Sequence, residues 1–145
     1  MKALLQKHLK NQKGLTLIEL LAVVVILGII AAIAIPSIGA IIDNTRKDAH
    51  IANAEQMVNA VKTAVATNVG NGEDYTLTEL VEAGLIENPD VPGKGGKYTS
   101  GTVNIATTGN NKTYTVTLDD YIKNKTITQL RGKGEGLGRN AVSLK

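Results

Sequence analysis

The chain begins polar and basic, turns apolar over residues 15–42, and then mixes polar and apolar positions to its end. Residues 20–35 carry no polar side chain, and Glu19 is the only ionisable residue between Leu15 and Ile42. About 20 apolar residues cross a bilayer as a helix, so length permits a transmembrane segment. Pro36 is expected to bend or interrupt that helix, because it lacks an N–H and crowds the carbonyl of Ala32. Beyond Ile42 the apolar positions thin to a stripe. Ile51, Ala54, Val58, Val61 and Val65 recur every three or four residues, the pattern of one face of an amphipathic helix. Asn68, Gly70 and Gly72 end it. The two patterns together predict one long helix from about Thr16 to Asn68, apolar all round in its first half and one-sided in its second.

Further on, "YTLTELVEAGLIENPDVPG" predicts a short helix over residues 77–84. Thr78 is its expected cap, Leu77, Leu80 and Val81 its apolar face, and Gly84 its left-handed stop. Val103 and Ile105 alternate with polar neighbours, as do Tyr114, Val116 and Leu118. Gly109-Asn110-Asn111 between them is turn chemistry, so a β-hairpin is expected. Asp119-Asp120 turns the chain again, and residues 125–130 are expected to form a third strand with Ile127 on its apolar face. The tail "RGKGEGLGRNAVSLK" is Gly-rich and charged, and reads as an irregular or mobile end with a last β segment near Ala141-Val142. The expected fold is α+β: a long N-terminal helix packed on a small three- to four-stranded antiparallel sheet at about residues 102–130.

Composition narrows the picture. A length of 145 residues gives room for one modest domain. The absence of cysteine excludes disulfides and thiol chemistry, and without Phe or Trp the core must come from Val, Ile, Leu, Ala and four tyrosines. The net charge of +3 is misleading, because Lys2, Lys7, Lys10 and Lys13 precede the apolar run. Without residues 1–14, Lys+Arg falls from 16 to 12 against 13 Asp+Glu, a net of about −1. Basic residues ahead of a hydrophobic stretch favour a cytoplasmic N-terminus.

Three readings of the apolar segment remain open. Ala32-Ile33-Ala34 fits an ordinary secretory signal cleaved after Ala34, although the run is long for one. A permanent single-pass anchor is the second, but it leaves Glu19 without a partner, and an unpaired charge in lipid is costly. In the third, the chain is cut between Gly14 and Leu15. The new α-amine then lies four residues before Glu19, on the same helical face, within one chain or between neighbours. Such a pair sets register rather than adding much stability, since desolvation offsets its attraction.

The run "KGLTLIELLAVVVILGIIAAIAIPSI" resembles the N-terminal signature of type IV pilins and pseudopilins. Gly14, Leu15, Glu19 and Pro36 match the family's cleavage glycine, first mature residue, fifth-position glutamate and helix proline. Leu15 departs mildly from the Phe that many members carry. The resemblance implies a leader over residues 1–14, a filament-core or transmembrane helix over 15–42, and a globular head over 43–145 whose amphipathic helix covers 43–69. It implies cleavage after Gly14 and N-methylation of Leu15 by a membrane prepilin peptidase. Insertion in the cytoplasmic membrane with the head outside would follow, then addition by an assembly ATPase and platform protein to a surface homopolymer, with Glu19 and Pro36 acting in assembly. The lack of cysteine resembles Gram-positive members. Rival readings are a major pseudopilin of a competence or secretion system and a secreted binding domain.

Nothing in the sequence assembles into a catalytic constellation, and no enzyme activity, cofactor or metal is expected. His8 lies in the leader and His50 on what reads as a polar helix turn. Asp119-Asp120, and Asp43 with Asp48, could attract a cation but read better as a solvated turn and a helix end. Lys94, Lys97, Lys112, Lys123, Lys125, Arg131, Lys133 and Arg139 crowd the C-terminal half. DNA is the corresponding partner, but a solvated basic surface is the stronger reading.

Overall fold

A computed structural model describes the backbone of residues 2–132 and 138–144, and side chains from Thr16 onward. The chain forms two compact units that meet between Ile41 and Ile42. Helix α1 covers Lys2–Ala66. It stops close to the expected Asn68, which takes a left-handed φ of 54°. The helical path runs unbroken through Pro36, contrary to the expected interruption. A proline removes one N–H, and local groups can compensate inside a long apolar helix. The carbonyl left without its donor is that of Ala32, and the Ser37 hydroxyl donates to the next carbonyl along, Ile33, at 3.2 Å.

In the second unit the sheet has four antiparallel strands in the order β1-β2-β3-β4. They are β1 (Asp74–Thr76), β2 (Gly101–Thr108), β3 (Asn111–Leu118) and β4 (Ile122–Thr126). The β2–β3 hairpin lies where alternation placed it, with Gly109 and Asn110 as its loop and Thr108 opposite Asn111. Asp119 turns the chain with a φ of 41°.

Two expected boundaries are corrected, both by capping boxes. The short helix α2 is Leu77–Glu82, and its cap is Thr76 rather than Thr78. The Thr76 side chain accepts from the Glu79 N–H while the Glu79 carboxylate accepts from the Thr76 N–H, which satisfies two otherwise orphaned donors. Gly84 does take the left-handed conformation, with φ 69°, but Val81 is exposed. The strand expected at residues 125–130 lies earlier, at β4. Residues Ile127–Leu130 form helix α3, because Thr126 and Gln129 repeat the same reciprocal cap. A last β contact near Ala141-Val142 exists as a bridge between Ile122 and Val142, after a 3-10 turn over Gly138–Ala141. The rest of the expected irregular tail, residues 133–137, lies outside the described residues.

The core is made as composition required. Ala54, Met57, Val58, Val61 and Ala64 from α1 face Val103, Val116, Leu118, Ile122 and Leu130, with Tyr75, Leu77, Leu80 and Tyr98 closing the sides. Three buried alanines on α1, at positions 54, 60 and 64, let helix and sheet approach closely. Val65, the last residue of the expected stripe, is only partly buried.

Candidate functional site

The first unit is defined by what it leaves uncovered. From Thr16 to Ile33 every side chain is exposed, and Leu17, Ile18, Ile33 and Ile35 each show more than two thirds of their surface. Burying apolar surface yields roughly 25 cal/mol per Å2, so a helix this apolar is held in lipid or against other helices rather than in water. It is long and apolar enough to cross a membrane. Glu19 is exposed within it and has no ion pair among the described residues. Gly14 and Leu15 lie on α1 one turn before Glu19, in the part where only the backbone is described. Gly28 and Gly39 have open space where a Cβ would stand, so another helix could approach there.

In the second unit the sequence reading of His50 is corrected. His50 is fully buried, not on a polar turn. Its Nδ1 lies 2.6 Å from the Tyr98 hydroxyl, and its ring stacks on Tyr121 with centroids 4.2 Å apart. The Asn53 amide also donates to the Tyr98 hydroxyl, at 3.3 Å. Burial lowers the His50 pKa and pushes the Tyr98 phenol up to about 12. Neutral rings therefore form this cluster, and it works as a structural joint between α1 and the β4 side of the fold.

The carboxylates considered as cation ligands are engaged otherwise. Asp119 accepts from the backbone N–H and hydroxyl groups of Thr99 and Ser100, at 2.6 to 3.2 Å. Burial pushes its pKa up, but those hydrogen bonds outweigh it and hold the carboxyl below its usual range. Asp43 pairs with Arg46 at 3.8 Å. Asp48 accepts two bonds from the Arg139 guanidinium, each 2.6 Å, and hydrogen bonding to that cation lowers its pKa. Among the described residues no group of three metal-ligating side chains occurs.

Arg131 grips Glu55 in the same two-pronged manner, through Nε and, at 2.6 Å, through Nη2. Spacing along the chain could not reveal these pairs, since 76 and 91 residues separate the partners. They tie the C-terminal region to α1 where a disulfide is impossible. They also thin the basic patch. Arg131 and Arg139 are spent on carboxylates, Lys97 pairs with Asp90 at 2.9 Å and Lys123 with Asp120 at 3.4 Å. Lys133 lies outside the described residues. Lys94, Lys112 and Lys125 remain without an ion pair among the described residues, which favours a solvated surface over a DNA groove.

Comparison with known proteins points the same way as the helix. The family described as "Prokaryotic N-terminal methylation motif" matches residues 9–35. The chain is 36% identical over 87 residues to a type IV major fimbrial protein FimA of Dichelobacter nodosus, covering 60% of this chain and 49% of that one. It is 36% identical over 88 residues to a fimbrial protein of Moraxella nonliquefaciens, covering 61% and 53%. The chain thus spans about half the length of the curated relatives it matches. No solved structure matches it significantly. With its exposed apolar helix and that motif together, this chain carries the N-terminal methylation signature of type IV pilins and is related in sequence to type IV fimbrial proteins.

Proposed function

We propose that the chain is a structural subunit of a type IV pilus filament, made as a precursor and trimmed after Gly14. The observation that carries this reading is a helix whose apolar surface is uncovered on all sides and interrupted by one carboxylate, Glu19, inside the matched methylation motif. The precursor waits in the cytoplasmic membrane with its N-terminus on the cytoplasmic side and its globular unit outside. The same helix then leaves lipid for a bundle of identical helices, where small residues permit close contact. Cleavage leaves an α-amine at Leu15, which the peptidase methylates. In the filament that amine meets the Glu19 carboxylate of the same or a neighbouring copy. A buried acid without a partner is strongly disfavoured, so a subunit is accepted only in a register that pairs it. Assembly ATPase and platform protein supply the work of extraction, and the chain has no catalytic role.

Mass measurement and N-terminal sequencing of the mature chain test this. A start at methylated Leu15 is expected. A start at Ile35 would identify an ordinary secreted domain, and retention of residues 1–14 would identify a permanent anchor. Either result removes the pilin reading.

A further inference from the structure

Residues 90–97 form a small loop that lies along α1 within the second unit. Its arms meet in an antiparallel bridge between Asp90 and Lys97, and the Val91 N–H donates to the Gly96 carbonyl at 2.9 Å. The base of the loop is pinned at Asn53, whose amide donates to the Asp90 carbonyl at 3.2 Å. Its tip is pinned at Arg46. Gly93 takes a φ of 79°, and a Cβ built there would collide with the Arg46 guanidinium, so glycine lets that side chain lie against the tip. Asn53 and Arg46 lie about 10 Å apart along a helix axis. The loop therefore runs from Asn53 back toward Ile42, where the apolar run ends, and it carries exposed Lys94 at its tip.

Residues 15–42 would span about 42 Å as a helix, against about 30 Å of hydrocarbon in a bilayer. A run of that length is accommodated by tilting, which draws the exposed Ile41 and Ile42 toward the bilayer boundary. Arg46 follows Ile42 by about 6 Å of helix, inside the screening length of about 8 Å at physiological salt. The carboxylates near this end are already engaged. Asp43 pairs with Arg46 at 3.8 Å, Asp90 with Lys97 at 2.9 Å, and Asp48 with Arg139. Lys47 and Lys94 have no ion pair among the described residues, so the end next to the apolar run keeps an excess of positive charge. The chain itself holds this end at a phosphate-bearing surface, which singles out lipid headgroups over phosphate free in solution.

We propose that the tip of this loop, with Lys94 and neighbouring Lys47, docks on the headgroups of anionic phospholipids while the subunit waits in the membrane. The proposal rests on the membrane-held precursor described above. The test uses the isotope-labelled full chain in lipid nanodiscs, made either of phosphatidylcholine alone or of equimolar phosphatidylcholine and phosphatidylglycerol. A trace lipid with a paramagnetic headgroup broadens amides that approach the headgroup layer. The Lys94 and Gly95 amides are expected to broaden more in the anionic discs, and less again at high salt, while Asn71, beyond the far end of α1, stays sharp. One lysine near an anionic surface is worth about fivefold in binding, so Lys94→Gln is expected to reduce the extra broadening about fivefold. The proposal is overturned if both lipid compositions broaden the tip equally, if Lys94→Gln changes nothing, or if inorganic phosphate added to the neutral discs shifts the same amides to the same extent. A second lipid, paramagnetic in its acyl chain, reads insertion of residues 20–35 separately. Insertion with a silent tip overturns this proposal alone, whereas no insertion overturns the membrane-held precursor with it.

Discussion

His50 and Tyr98 are joined by a 2.6 Å hydrogen bond inside the second unit, although 48 residues separate them. The Nε2 atom on the other side of the imidazole ring is buried and has no hydrogen-bond partner among the described residues. The joint is therefore built for an uncharged histidine. Protonation would place a second N–H against apolar surroundings and a cation beside stacked Tyr121.

Acid should loosen the fold. The folded His50 has a lowered pKa, so the unfolded chain takes up a proton first as pH falls. This contribution to stability is complete above the ordinary histidine value of about 6.5 and is lost as pH drops from there toward the folded value. The slope for one proton is at most about 1.4 kcal/mol per pH unit. Thermal unfolding of the detergent-solubilised chain between about pH 7.5 and 5 measures it. A His50→Gln variant should show a flatter pH profile in that window.

Tyr98→Phe removes the hydroxyl that meets His50 and Asn53 and takes away the hydrogen-bond partner of the buried His50 Nδ1. A loss of about 1–3 kcal/mol is expected, the cost of an orphaned buried group. Denaturant titration of the same preparation gives the value, and Tyr75→Phe is a useful comparison. The Tyr75 hydroxyl donates to the Val69 carbonyl at 2.7 Å at a partly exposed site, so its removal should cost less.

Gly70 holds a φ of 85°, and a Cβ built there would stand 2.6 Å from Cε1 of Tyr75. Gly70→Ala combines left-handed strain with displacement of a ring that is itself buried. The expected cost is about 2 kcal/mol or more, read as a lowered unfolding midpoint. Gly72→Ala, with a φ of 82° but open space around it, should carry the strain alone.

Glu19→Ala should leave cleavage after Gly14 intact and abolish incorporation into filaments. Sheared surface fractions and membrane fractions, compared by immunoblot, separate the two effects. Normal filaments from this variant would contradict the pairing of Glu19 with the Leu15 amine.

The two arginine clamps are solvent-exposed, so their contribution should be modest and salt-sensitive. Arg131→Ala and Arg139→Ala should each lower the melting temperature slightly at low salt and hardly at all at high salt. A double-mutant cycle of Arg131 with Glu55 isolates the pair.

The legible parts of this fold were those governed by periodicity. Ile51, Ala54, Val58 and Val61 announced the buried face of α1, and the alternation of Tyr114, Val116 and Leu118 announced the hairpin. His50 was illegible because a lone histidine between polar neighbours carries no mark of burial, and Tyr98 lies far along the chain. The strand expected at residues 125–130 failed for a different reason. Ile127 does pack against the core as expected, but Thr126-x-x-Gln129 also spells a helix start, and the local hydrogen bonds decided the outcome. The short β1 was hidden in the same way, since Thr76 both ends that strand and caps α2. Glu19 stood out by chemistry alone, as the one charge in a stretch that otherwise excludes water.

Thr76 and Thr126 each finish a strand and begin a helix with the same four-residue phrase. The borders of the segment between them are thus spelled out on the spot, independent of what lies inside. Such a segment behaves as a cassette: its outward lettering is free to change while the frame that receives it keeps its shape.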